Sequence, residues 1–154
     1  MPYYTKVLQP DETVKMIGRL HWSIYLRAAL VLVIALAVLI GSGFLSDPDL
    51  SHYALLASLA LAVIGLLLLL AASIRRGATE IVVTDRRVIF KRGLLTRFTM
   101  EMNVSKIETV DVEQGLAGRI WGYGTVLIRG TGSSFEPLVG VGAPLAIRNA
   151  IVVG

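Results

Sequence analysis

The sequence predicts an α-helical transmembrane hairpin joined to a mainly-β domain of antiparallel strands. Three observations carry that expectation. Of 154 residues, 55% are hydrophobic, more than a soluble domain of this length needs. The excess is concentrated in two runs without charge, residues 28–45 and 53–74. The chain after them, residues 75–154, has 11 Lys or Arg against 7 Asp or Glu and repeats short β-branched runs between turn residues.

The N-terminal segment comes first. In TVKMIGRLHW, Val14, Met16, Leu20 and Trp22 share one face, and Lys15, Arg19 and His21 the other. QPDE before it is a turn signal. This predicts that residues 1–22 supply a strand to the β domain. Residues 23–75 then form the hairpin, with helices at 24–45 and 53–74, and residues 76–154 form the rest of the β domain.

The two apolar runs are 18 and 22 residues long. At ~1.5 Å rise per residue they reach ~27 and ~33 Å, against a hydrocarbon core of ~30 Å. The first run is too long for a signal-peptide core and no A-x-A site follows it, so it is expected to be retained. Lys6, Lys15, Arg19 and Arg27 precede the first run, and Arg75 and Arg76 follow the second. The connecting loop has Asp47 and Asp49 and no Lys or Arg. The positive-inside rule then places both chain ends in the cytoplasm.

Strands follow. TEIVVTD and RVIFKRG flank a turn at Asp85 and Arg86. RFTMEMNV alternates, with Phe98, Met100, Met102 and Val104 on one face. The pattern breaks near Lys106, which reads as a bulge or bend. Val110 and Val112 then point inward. GLAGRIWGYG is read as one helical turn carrying Leu116, Ile120 and Trp121 inward. YGTVLIRG and SSFEPLVGV are two more strands joined by a turn at GTG, and APLAIRNAIVV is a short helix with Pro144 in its first turn.

Catalytic constellations are not evident. With no cysteine there is neither a disulfide nor a thiolate. His21 and His52 fall on opposite sides of the membrane in this topology, so they cannot share a metal or a base. GYG, GTG and VGVG lack the strand, turn and helix context of a phosphate-binding loop. Alternation splits Glu108 from Asp111. The expectation is a non-enzymatic protein without a cofactor. The apolar runs hold only Ser42, Ser58 and Ser73 as polar groups, too few for an ion path. No aromatic platform interleaves the basic residues, which argues against nucleic acid.

Two sets of residues remain. Arg75, Arg76, Arg86, Arg87, Lys91, Arg92 and Arg97 make a basic stretch. A cation near an anionic leaflet contributes ~1 kcal/mol, and only within ~8 Å. A strand up and a strand down carry Arg86 and Arg87 away from the surface and bring Lys91, Arg92 and Arg97 back with Leu94 and Leu95. The lipid-surface candidates are therefore Arg75, Arg76, Lys91, Arg92, Leu94, Leu95 and Arg97. The competing reading has the leucines plugging the end of the β domain. In the helices, Ala54, Ser58, Ala62 and Gly65 form one small-residue stripe and Ala29, Ala37 and Gly41 another. The stripes either pack on each other within one chain, or one is left over for a homo-oligomer or a partner membrane protein.

TDRRVIFKRGLLTR, SKIETVDVEQGLAGRIWGYGTVLIRGTG and EPLVGVGAPLAIR, with LQPDETV and HW ahead of the membrane, resemble the bacterial pleckstrin-homology (PH) domain membrane proteins. The likeness covers nearly the whole chain. It implies a PH-like fold, two roughly orthogonal antiparallel sheets closed by a C-terminal helix, in the bacterial inner membrane. The last helix is shorter than the family's, so an incomplete helical cap is expected. The expected role is a lipid-surface or protein binding and scaffolding module. The alternative is an accessory subunit whose helices stabilise another membrane protein.

Overall fold

The computed structural model describes residues 8–93, 98–134 and 136–153. The chain folds as two compact units. One joins Met1–Ser23 to Arg75–Gly154, and the other is Ile24–Ile74.

The Ile24–Ile74 unit is a helical hairpin. A 3-10 turn, Trp22–Tyr25, leads into α1 (Leu26–Ser42), and α2 runs over Pro48–Ala78. α1 with its 3-10 lead, Trp22–Ser42, and α2, Pro48–Ala78, are long and apolar enough to cross a membrane. α2 starts earlier than the 53 read from the sequence and ends later than 74. The early start has a local cause: Asp47 Oδ1 accepts from the Asp49 N–H at 2.9 Å and Pro48 takes the first helical position. At the other end Arg75 and Arg76 sit in the last turn, where cations meet the negative end of the helix dipole. Thr79 Oγ1 donates to the Arg75 carbonyl at 2.8 Å. α1 stops at Ser42 rather than 45, beside Gly41 and Gly43.

The helices meet along small residues spaced by seven. Ala28, Ala35 and Ser42 on α1 and Ser58, Gly65 and Ala72 on α2 are buried. A seven-residue spacing keeps one seam facing its partner. A Cβ on Gly65 would lie 2.7 Å from Leu32 Cγ, so the glycine sets the closeness of approach.

The β unit holds two four-stranded antiparallel sheets and a C-terminal helix, the arrangement that the resemblance implies. The first sheet has the order β1 (Val14–Gly18), β2 (Glu80–Thr84), β3 (Arg87–Arg92), β4 (Phe98–Asn103). Its first strand thus comes from before the helices and its second from after them. β2 and β3 are the inner strands, and their burial does not alternate. Ile81, Val83, Val88 and Phe90 enter the core, while Val82 and Ile89 on the opposite face are 1% and 2% exposed.

The break near Lys106 is the corner between sheets. A 3-10 turn, Val104–Lys106, ends β4's ladder and starts β5 (Ile107–Glu113) in the second sheet. β5 pairs with β6 (Tyr123–Gly130). The other edge of β6 takes β7 (Ser133–Ser134) and β8 (Leu138–Gly142), so the strand read at SSFEPLVGV is interrupted. Pro137, which has no N–H to give the ladder, lies in the gap. Leu20 bridges Val141, so the N-terminal segment touches both sheets. α4 (Pro144–Val152) follows and sends Ile147 and Ile151 into the core, 0% and 3% exposed.

α3 (Leu116–Trp121) overturns one expectation. Leu116, Ile120 and Trp121 do not point inward; they are 82%, 79% and 44% exposed. The buried residue of α3 is Gly118, whose missing Cβ would sit 2.5 Å from the Tyr123 carbonyl oxygen. Close backbone approach at the glycine turns the large side chains outward.

Candidate functional site

The basic stretch divides between the two ends of the first sheet. Glu80 stands opposite Lys91 and Val83 opposite Val88, so the β2–β3 hairpin carries Arg86 and Arg87 to one end and returns Lys91 and Arg92 to the level where the chain left α2. At that level Arg75 is exposed and Arg76 Nε donates to the Leu20 carbonyl at 3.1 Å. Arg92 is committed partly to protein: it pairs with Glu136 at 2.7 Å and stands 5.9 Å from the Phe98 ring. Leu94, Leu95 and Arg97 lie outside the described residues.

At the far end Arg87 is structural. Its Nε and Nη2 donate to the two oxygens of Glu12 at 2.9 and 2.8 Å, and Nη1 reaches Glu101 at 2.8 Å. Glu101 is the diagonal neighbour on β4, on the face that Arg87 shares. Glu12 also accepts from Thr84 Oγ1 at 2.7 Å and from the Gln9 N–H at 3.1 Å. Its side chain is fully buried, yet four donors surround the carboxylate. The Arg87 guanidinium is the main reason its pKa falls from 4.5 to about 2, with burial opposing. Arg87 is raised in turn, chiefly by its hydrogen bonds to Glu12. A carboxylate so occupied is a clamp that ties the N-terminal segment to the β2–β3 turn. Thr13 and Asp85 reinforce it through the Thr13 N–H to Asp85 Oδ1 at 3.0 Å and the Asp85 N–H to the Thr13 carbonyl at 3.1 Å.

Sequence reasoning did not single out Glu12, and it also missed an aromatic run at the α2 end. Tyr123, His21, Trp22 and Trp121 follow one another with ring centroids 5.2, 5.3 and 5.2 Å apart. HW and WGY, two short aromatic clusters, were the available signal. His21 is held at backbone and ring: its backbone N–H donates to the Gly140 carbonyl at 2.8 Å, and its Nδ1 accepts from the Ser23 backbone N–H at 3.2 Å. Ring faces at this spacing attract beyond simple burial.

α3 is pinned beneath the run. Gln114 Nε2 donates to the carbonyls of Gly118 at 3.2 Å and Tyr123 at 3.0 Å. Gly122, at φ 75°, closes the helix in the left-handed region. α3 therefore cannot roll to bury Leu116 or Ile120.

The helical candidates separate cleanly. Ser58 and Gly65 are buried on the seam, Ala54 and Ala62 are half-buried beside it, and Ala29, Ala37 and Gly41 are exposed. Nothing lies within 4 Å of a Cβ built on Gly41.

Among the described residues no three of His, Cys, Asp and Glu cluster to hold a metal ion. No curated protein matches the chain, and no solved structure does. A family model described as Bacterial PH domain matches residues 23–151, from just before α1 to the last turn of α4. The match spans most of the chain and includes both apolar helices together with seven of the strands, so this protein belongs to the Bacterial PH domain family.

Proposed function

We propose that this is a non-enzymatic, multi-pass protein of the bacterial inner membrane. Its Bacterial PH domain is held at the cytoplasmic lipid surface as a binding or scaffolding module. The observation that carries this reading is where the chain leaves the β unit and returns to it. Arg76, two residues after the charge-free run, hydrogen-bonds Leu20, four residues before Ile24. Both connections to the helices thus sit at one end of the domain, as they must if a single bilayer takes both helices. Arg19, Arg75 and Arg76 lie there, and positive flanks face the cytoplasm. The fully occupied Glu12 carboxylate is a structural ion pair rather than an acid or base.

A helix exchange tests the reading. An unrelated apolar hairpin in place of residues 24–74 should leave the domain on phosphatidylglycerol nanodiscs, with the same co-purifying lipids and proteins. Loss of these from a folded chain moves the function to the helices.

One observation favours that second reading, an accessory subunit or a homo-oligomer. Ala37 and Gly41 are four residues apart on an exposed face of α1, the spacing that lets two helices approach closely. Gly41→Leu should then abolish chemical crosslinking between chains or to a partner.

A further inference from the structure

We infer that α3, together with Trp22, is the wedge by which the β domain enters the lipid headgroup layer. The inference rests on the membrane reading above and names the surface that meets the lipid.

Four observations converge. Among the described residues of the β unit, Leu116 at 82%, Val153 at 81% and Ile120 at 79% are the most exposed large apolar side chains. Leu116 and Ile120 stand four residues apart, on one side of α3. The domain holds these two outward, because Gly118 seats the opposite side on the Tyr123 carbonyl and Gln114 ties both ends of that contact.

Trp121, the last residue of α3, packs on Trp22 with ring centroids 5.2 Å apart, and both residues are 44% exposed. Trp22 lies two residues before Ile24, where the helical unit begins. In the membrane reading Ile24 opens the first spanning segment; two residues of chain reach at most ~7 Å, so Trp22 stands within that distance of its start, and Trp121 packs on Trp22. Half-exposed tryptophans suit this depth, with the ring in the apolar boundary and Nε1–H toward water.

Charge agrees. Residues 19–23, 75–79 and 114–124 carry Arg19, Arg75, Arg76 and Arg119, with Glu80 and Glu113 the acids next to them in sequence. An apolar tip on a segment with more cations than acids suits an anionic leaflet, where the attraction acts within ~8 Å. A protein partner recognising this tip by charge would need an acidic rim. The covalent tether favours the lipid, because it keeps the bilayer at high local concentration.

The chain supplies its own probe. Trp22 and Trp121 are its only tryptophans, so Trp22→Phe leaves Trp121 alone. This variant is placed in phosphatidylcholine–phosphatidylglycerol nanodiscs, with and without bromine on the acyl chains near the glycerol. The expected result is strong quenching of Trp121 by bromine, at a depth of about 5–10 Å below the headgroups. Leu116→Ser with Ile120→Ser should remove most of that quenching while the near-ultraviolet dichroism is kept. If the double change disturbs folding, the bromine comparison in Trp22→Phe decides alone.

Emission indifferent to bromine overturns the inference, whether acrylamide in the water reaches Trp121 or a protein surface shields it. A spin label at Lys91→Cys separates the two levels of the argument. A label at lipid depth with Trp121 indifferent removes α3 and keeps the membrane module. A chain that does not fractionate with bilayers at all removes both.

Discussion

Replacing Glu12 with Gln probes the clamp that attaches β1 to the domain. Glu12 Oε2 faces Arg87 Nη2 at 2.8 Å and the Gln9 N–H at 3.1 Å, while Oε1 faces Arg87 Nε at 2.9 Å and Thr84 Oγ1 at 2.7 Å. A Gln amide can serve the second pair with its oxygen, but its NH2 then meets two donors. Arg87 would lose the charge of Glu12 and keep the ion pair with Glu101, whose side chain is 34% exposed. The pKa displacement from 4.5 to about 2 corresponds to about 3 kcal/mol of stability at neutral pH. That agrees with the ~3–5 kcal/mol found when one partner of a buried ion pair is removed. For a domain of this size it lowers the unfolding midpoint by on the order of 10–20 °C. The sign of the pH dependence follows from the direction of the shift. Because the folded pKa is depressed, the contribution is complete above about 4.5 and is lost as pH falls from there toward 2. The assay is thermal unfolding of the intact chain in nanodiscs, read by tryptophan emission between pH 7 and pH 3. Wild type should lose stability across the acid range, and Glu12→Gln should start lower and change less. A Glu12→Gln midpoint within a degree or two of wild type at pH 7 would refute the clamp, as would equal pH slopes.

Three further outcomes are expected. Gly130→Ala places a Cβ 2.5 Å from the Lys106 carbonyl and 2.8 Å from Met102 Sδ, so it should destabilise the domain by ~1–3 kcal/mol in the same unfolding assay. Ala143 is held at φ 49°, where an L residue is strained by ~1–2 kcal/mol, so Ala143→Gly should leave the midpoint unchanged or raise it; a clear drop would count against strain there. Arg92→Gln breaks an ion pair whose side chains are 53% and 37% exposed, and should change stability by less than ~1 kcal/mol.

What was legible in the sequence follows physical locality. Two charge-free runs announce two apolar helices, and Phe98 to Asn103 announces a strand, because those signals depend on neighbours in the chain. The corner after β4 was visible as a break in parity at Lys106 for the same reason. The orientation of α3 was not legible. Leu116, Ile120 and Trp121 look like a core face, and the contact that decides otherwise is between Gly118 and a carbonyl on β6. Nor was the clamp, since Glu12 and Arg87 are 75 residues apart. The inner strands were legible from their β-branched runs and the turn at Asp85 and Arg86, not from alternation, which burial of Val82 and Ile89 on the outer face erases.

The order of the first sheet has a consequence for biosynthesis. β1 leaves the ribosome before α1, and β2 only after α2. In the membrane reading, β1 must therefore wait, unpaired, while both helices are placed. A chain that inserts one helix instead of two strands β1 on the far side of the bilayer from β2. Its cytoplasmic part would then present β2 as an open edge, with Arg87 half of a broken clamp, the state that quality-control proteases and chaperones engage. In that reading, only a correctly threaded chain can close its own domain.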